Sequence, residues 1–134
     1  MSFKTAQNAI TAHFASGWAT TIAYDNVEYT PPNPPAAWVR ITVQPGLGES
    51  ASLGATLERQ YGDIFVQVFT PENTGTATAA DTAQNAADRL RFKRIARTGD
   101  RDVRTFAASI KRIGNSDGWY QINVTIPFEY DDSV

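Results

Sequence analysis

The stretch that decides the fold lies near the C-terminus and changes between apolar and polar at almost every residue. It reads Trp119-Tyr120-Gln121-Ile122-Asn123-Val124-Thr125-Ile126-Pro127-Phe128-Glu129-Tyr130. One face carries Tyr120, Ile122, Val124, Ile126 and Phe128, and the other carries Trp119, Gln121, Asn123 and Thr125. Because side chains alternate across a strand, this pattern predicts a strand with an inner and an outer face.

Four stretches further upstream show the same alternation. They are Trp38–Gln44, Leu53–Tyr61, Asp63–Thr70 and Val103–Ile113. The turn-forming residues 114–118 join the last of these to the C-terminal strand in a predicted hairpin. In residues 63–70 both faces are apolar, which predicts a central strand that is covered on both sides.

Two segments have helical spacing instead. The first runs from Ser2 to about Ala15, with Ser2 as the predicted N-cap and Gly17 just beyond the end. The second runs from Ala77 to about Ile95 and is rich in alanine. Small residues on one of its faces would let it lie close to a sheet.

The order of these elements is helix, three strands, helix, two strands. This order predicts an α+β fold, with a mainly antiparallel sheet of about five strands and two helices packed on one face. A chain of 134 residues falls within the usual range of one domain, so we expect a single domain over residues 1–134.

Composition excludes several kinds of function. The net charge of -2 is not the basic balance of a dedicated nucleic-acid binder, and the absence of cysteine excludes disulfides and thiolate metal sites. We expect no export signal and no membrane span. His13 is the only histidine, the carboxylates are scattered, and the glycine-rich residues 46–54 lack the Lys-Ser/Thr ending of a phosphate loop. We therefore predict no catalytic residue, no metal and no cofactor.

A proline-rich segment is the first candidate for contacts with another subunit. Pro31, Pro32, Pro34 and Pro35 occupy four of five positions, and residues 18–37 are predicted to form an extended arm. A pre-ordered arm loses little entropy on docking. The candidate interface residues are the four prolines and the aromatic residues that flank them, Tyr24, Tyr29 and Trp38.

Nine of the twelve Lys and Arg residues lie between positions 89 and 112. The candidate partner-binding residues among them are Arg89, Arg91, Lys93, Arg94, Arg97, Arg101 and Arg104. They are interpreted either as a surface for acidic tube subunits or passing DNA, or as a solvated face near a helix C-terminus. A further candidate for contacts with another subunit is a loop that contains Gly46, Gly48, Ser50 and Ser52. We expect this loop to be mobile and to become ordered on assembly.

Several short sequence segments occur together in an order that is typical of one protein family. They are Thr21-Ile22-Ala23-Tyr24-Asp25-Asn26-Val27, Trp38-Val39-Arg40, Arg59-Gln60-Tyr61-Gly62, Ile64-Phe65-Val66-Gln67-Val68-Phe69-Thr70-Pro71, Gly118-Trp119-Tyr120-Gln121 and Ile126-Pro127-Phe128-Glu129-Tyr130. In order, spacing and total length, the chain resembles the tail-terminator-like proteins of long-tailed bacteriophages. The resemblance spans nearly the whole chain.

The resemblance implies a non-enzymatic subunit of the virion tail that is assembled in the host cytoplasm. Relatives work as a hexameric ring, which closes the head-proximal end of the tail tube, stops tube polymerisation and provides the face for head attachment. The implied partners are other copies of the chain, the tail tube protein and a head-completion or neck protein, with DNA passing through the ring. Two alternatives stay open, namely another neck or head–tail connector subunit and a small carboxylate-dependent hydrolase or nuclease.

Overall fold

The computed structural model describes residues 1–54, 56–98 and 101–133. In this part the chain forms two helices and seven strands. In chain order they are α1 (Phe3–Ala15), β1 (Thr21–Tyr24), β2 (Trp38–Ser50), β3 (Leu57–Pro71), α2 (Ala77–Leu90), β4 (Arg94–Thr98), β5 (Arg101–Thr105), β6 (Ser109–Ser116) and β7 (Trp119–Ser133). Neither of the described helices is long and apolar enough to cross a membrane.

The strands form one sheet in the order β1-β2-β3-β7-β5-β4, and β6 pairs with another part of β7. β1 runs parallel to β2, whereas the other pairs are antiparallel. The predicted α+β class is confirmed. The predicted sheet is corrected, because the observed sheet is mixed and contains seven strands in place of about five.

The core lies between the helices and the inner face of the sheet. Ile122, Val124 and Ile126 of β7 are buried there, as the alternation predicted. α2 contributes the small side chains Ala79, Ala83, Ala86 and Ala87, together with Leu90. α1 contributes Ala6, Ile10 and Phe14. All of these side chains belong to one buried cluster.

Polar contacts stabilise both ends of α1. The Ser2 hydroxyl accepts a hydrogen bond from the backbone N–H of Thr5 at 3.2 Å, which confirms the predicted N-cap of α1. At the other end Arg89 of α2 donates to the carbonyl oxygens of Phe14 (3.3 Å), Ser16 and Gly17 (3.4 Å). Arg89 thus satisfies carbonyl groups that the end of α1 leaves without a helical partner.

The second helix is shorter than predicted, because the chain turns away after Leu90. Arg91 is extended, and Phe92 has a φ of 51°, so the helix cannot continue. The Thr105 hydroxyl donates to the carbonyl of Leu90 and accepts from the backbone N–H of Lys93 at 2.7 Å. The residues that follow form β4, and Ile95 of β4 is buried.

Three further strand predictions are corrected. β1 lies within residues 18–37, which were predicted to be an extended arm without a strand. β3 is one continuous strand, where the sequence predicted separate strands over 53–61 and 63–70. The predicted strand over 103–113 is divided into β5 and β6, because these two segments pair with different parts of β7.

Gly62 allows β3 to remain continuous next to a large aromatic side chain. A Cβ atom at this position would lie 2.4 Å from the carbonyl oxygen of Gln44 and 2.6 Å from Cζ of Phe128. Since a backbone oxygen cannot easily move away, only glycine fits at this position of β3, between Gln44 of β2 and Phe128 of β7.

A group of charged side chains joins four strands at the same end of the sheet. Arg59 of β3 donates to both carboxylate oxygens of Asp131 on β7, at 2.9 and 3.3 Å. Arg104 of β5 donates to Glu129 and Asp102, each at 2.9 Å. Arg94 of β4 lies 3.5 Å from Asp102, whose side chain is only 4% exposed. We call these six residues the ionic cluster. It is consistent with the rule that buried charges are paired.

Gly62→Ala should lower the free energy of unfolding by about 2 kcal/mol, because overpacking forces the surrounding backbone to shift. Urea unfolding measures the loss. Gly48→Ala is a matched control in the same pair of strands, since its Cβ would meet only the flexible side chain of Gln60. An equal loss in the two variants would contradict the close approach at Gly62.

Asp131→Asn should make stability less sensitive to acid. The hydrogen bond from Arg59, together with the charge of Arg104, lowers the pKa of Asp131 despite its partial burial. Because the pKa is lower in the folded state, the stabilisation is complete above the unfolded-state pKa and is lost as the pH falls through the folded-state pKa. Below about pH 4 the free energy of unfolding should therefore fall more steeply in the wild type than in the variant.

Urea unfolding at a series of pH values measures this difference. Asp117→Asn removes a carboxylate from the exposed turn before β7 and should keep the wild-type slope. Parallel curves for the wild type and Asp131→Asn would show that the ion pair adds no pH-dependent stability.

Candidate assembly surfaces

The proline-rich segment joins the parallel strands β1 and β2 and has no regular secondary structure. Pro31, Pro34 and Pro35 are exposed, and Pro32 is half-buried. Tyr29 packs against Trp38, with ring centroids 4.7 Å apart. The segment is therefore anchored at Tyr29 to the first residue of β2, while most of its prolines face solvent.

Trp38 lies within an aromatic cluster on the outer face of the sheet. It stacks on Phe69 of β3 at 4.1 Å and meets the edge of Trp119 at 5.9 Å. Only 5% of Trp38 is exposed. Because Trp38 is buried, a neighbouring subunit could contact mainly the side chains that cover it. Tyr24, in contrast, is 39% exposed at the end of β1.

The cations predicted to bind a partner are largely engaged within the chain. Arg89 bonds to the end of α1, Arg91 pairs with Asp88, and Arg101 donates to Ser133 at 3.0 Å. Arg94 and Arg104 belong to the ionic cluster. Lys93 and Arg97 are exposed. The structure thus engages five of the seven residues in separate local contacts. Only Arg91, Arg94 and Arg104 are paired with carboxylates.

The predicted mobile loop is corrected to a strand end and a turn. Gly46, Gly48 and Ser50 lie in β2, where Gly48 pairs with Gln60 and Ser50 pairs with Glu58 of β3. Ser52 lies in the turn that follows. The small residues that suggested a loop can form a strand here because β3 supplies the hydrogen-bonding partner. Mobility of this segment stays a prediction.

Side chains at the end of the β2–β3 hairpin are strongly exposed. Leu47 is 72% exposed, and Leu53 is fully exposed at 103%. The Tyr61 hydroxyl donates to Glu49 across the two strands at 2.7 Å, and this bond raises the pKa of Tyr61. The hairpin end is therefore held by a polar contact while its leucines face solvent.

His13 and the carboxylates make structural contacts. Nε2 of His13 lies 3.1 Å from the carbonyl oxygen of Arg89, at one wall of a cleft of about 620 Å³ between the end of α1 and α2. In the ionic cluster Asp102, Glu129 and Asp131 surround arginines. Within the described ranges no three His, Asp or Glu side chains form a group that could hold a metal ion.

One exposed surface does not follow from the sequence patterns. β6 carries Ile110 and Ile113, which are 49% and 48% exposed. They were assigned to a longer strand that begins at Val103, because the alternation continues through the interruption. The pair Ala107-Ala108 was the available signal, since alanine is depleted in strands.

Comparison with known proteins identifies the family. The model of a family described as phage tail terminator protein matches residues 5–128. One solved structure is 19% identical, with a TM-score of 0.68 over 92% of this chain and 94% of the other. A chain in the virion of a native gene transfer agent particle is 18% identical, with a TM-score of 0.60 over 94% of each chain.

Among curated proteins no significant match is found. The two structural similarities show a shared fold, and the family match covers most of the sequence. The chain therefore belongs to the phage tail terminator family and is a structural protein of the virion tail.

Proposed function

We propose that this protein forms a closed ring of six copies that caps the head-proximal end of the tail tube. The ring stops tube polymerisation and provides the face to which the head attaches. Each subunit is a single domain over residues 1–134. In support, the buried helix and sheet side chains of the described residues form one cluster. The role is non-enzymatic, in keeping with a structural family.

One structural observation carries the ring proposal. Two separate edges of the sheet expose different sets of large apolar side chains, Tyr24 and Val27 next to β1 and Ile110 and Ile113 on β6. A head-to-tail ring needs two different patches on each subunit, whereas a two-fold dimer uses one patch twice. The distribution of exposed apolar side chains therefore favours a cyclic assembly.

The proline-rich segment supplies a further contact in this proposal. Its exposed prolines restrict the backbone in advance, so an arm anchored at Tyr29 can dock on a neighbour with little additional loss of entropy. Among the seven cations predicted to bind a partner, Lys93 and Arg97 are best placed to contact a negative partner, because they are exposed and form no ion pair within the described residues. That partner is the tube protein, the head-completion or neck protein, or DNA passing through the ring.

Tails made without this protein should contain tubes of uncontrolled length, because nothing ends their growth. Electron microscopy of particles from a deletion strain measures the length distribution, and expression of the protein in trans should restore it. Tubes of normal length without heads would contradict termination and favour a neck or head–tail connector.

The mass of the assembly tests the number of copies. Measured for the purified protein alone and with tubes, it should equal six times 14.7 kDa in at least one of these samples.

Replacing Pro31 and Pro35 with glycine should weaken assembly about ten-fold and leave the subunit folded. Each substitution gives back backbone freedom worth about 0.4–1 kcal/mol, and two together approach the 1.4 kcal/mol that corresponds to a factor of ten. Sedimentation across a concentration series measures assembly, and circular dichroism confirms the fold. The Pro31→Ala/Pro35→Ala variant is the matched control, and its assembly should be weaker than that of the wild type but stronger than that of the glycine variant. Wild-type assembly by the glycine variant would reject the arm as a docking element.

A further inference from the structure

β6 is an open edge of the sheet. Within the described residues it pairs only with β7, so its second row of backbone N–H and C=O groups has no strand beside it. Every residue of β6 except Gly114 is exposed. An edge of this kind is a template for pairing with another chain.

Proteins often protect such an edge with charges and irregular pairing, and β6 has both features. Lys111 and Arg112 are exposed, and the register with β7 shifts between Arg112 and Gly114. Protection explains these features but not the two half-exposed isoleucines, Ile110 and Ile113. Apolar side chains on an open strand favour pairing in place of preventing it.

The opposite end of the sheet has complementary properties. β1 pairs on one side with β2, and no described strand lies on its other side. Beside β1, Tyr24 and Val27 are 39% and 60% exposed, and Asp25 and Glu28 are exposed acidic residues. None of the charged residues Asp25, Glu28, Lys111 and Arg112 forms an ion pair within the described part of the chain. One edge is therefore apolar and acidic, and the other is apolar and basic.

A cleft next to β1 lies on the inner side of the sheet. Its volume is about 570 Å³, and its lining includes Ala12 and Ala15 of α1, Ile41 and Val43 of β2, and Tyr24 and Asp25. Ile110 is opposite the buried Val124 and therefore projects from the inner face of β6. If β6 of another copy continued the sheet beyond β1, its Ile110 would be on the side where this cleft lies.

We propose that β6 of one copy pairs with β1 of the next, so that the sheet continues from subunit to subunit. Lys111 and Arg112 then lie near Asp25 and Glu28, and Ile110 covers the cleft beside Tyr24. β1, β2 and β7 run in one direction and β3 and β6 in the other, so a rotation that preserves strand direction makes the new pair antiparallel. This inference rests on the proposed ring and names its subunit contact.

Charge reversal with rescue tests the contact. Lys111→Asp/Arg112→Asp and Asp25→Lys/Glu28→Lys should each weaken ring formation at least about ten-fold, because like charges then face each other at two positions. The variant with all four substitutions should recover to within about three-fold of the wild type, because opposite charges face each other again. Lys4→Asp/Asp81→Lys reverses two exposed charges on the helices and should assemble as the wild type does. Assembly is measured by sedimentation, with tail tubes present if isolated subunits are monomeric.

A cross-link provides an independent measurement, since the chain has no cysteine of its own. Asp25→Cys/Lys111→Cys should form disulfides between copies under mild oxidation and give a ladder up to the full ring on a denaturing gel. Each single-cysteine variant should stop at dimers. Rings that form normally with either reversed pair, or no rescue by the combined variant, would overturn the β6–β1 contact and leave the ring itself intact. If wild-type subunits form no ring even on tubes, both the contact and the proposed function fail.

Discussion

β7 organises the structure because it has a partner along both of its edges and a covered inner face. On one side it pairs with β3 from Trp119 to Ser133, and on the other side with β6 and then β5. Its inner side chains lie in the same buried cluster as α2. A shift of one residue in the pairing would turn these side chains to the outer face. The register of β7 therefore also determines the positions of β3, β5 and β6.

The two ends of β7 are stabilised in different ways. Near Trp119 the outer face has the aromatic cluster, in which Trp38 brings β2 against β3. Near Asp131 the ionic cluster joins β3, β5 and β4 to β7 through three arginines and their carboxylates. The carboxylates are held by arginines, and the family is a structural one, so this cluster is best understood as part of the scaffold.

Sequence patterns predicted what depends on local periodicity. The Ser2 cap, both helices and the inner face of β7 follow from spacing alone, and all are observed. Elements that depend on a distant partner were not predicted. β1 is four residues long and exists because β2 lies beside it. Gly48 and Ser50 are in a strand because β3 pairs with them. α2 ends early because of Thr105, which lies 15 residues beyond Leu90.

The candidate surfaces show the same difference between local sequence patterns and contacts with distant residues. Counting cations in the sequence grouped Arg89 with Arg104, but Arg89 binds the end of α1 and Arg104 binds carboxylates of β5 and β7. The exposed isoleucines of β6 could not be recognised from alternation, since a strand pattern does not tell how far the helices extend over it. Ile110 projects from the inner face but remains half exposed, which means that the described helices cover the sheet incompletely at this edge. A sheet that is wider than its own helical cover leaves apolar side chains that another copy can bury. This mismatch is the physical reason to expect that the subunit acts through assembly.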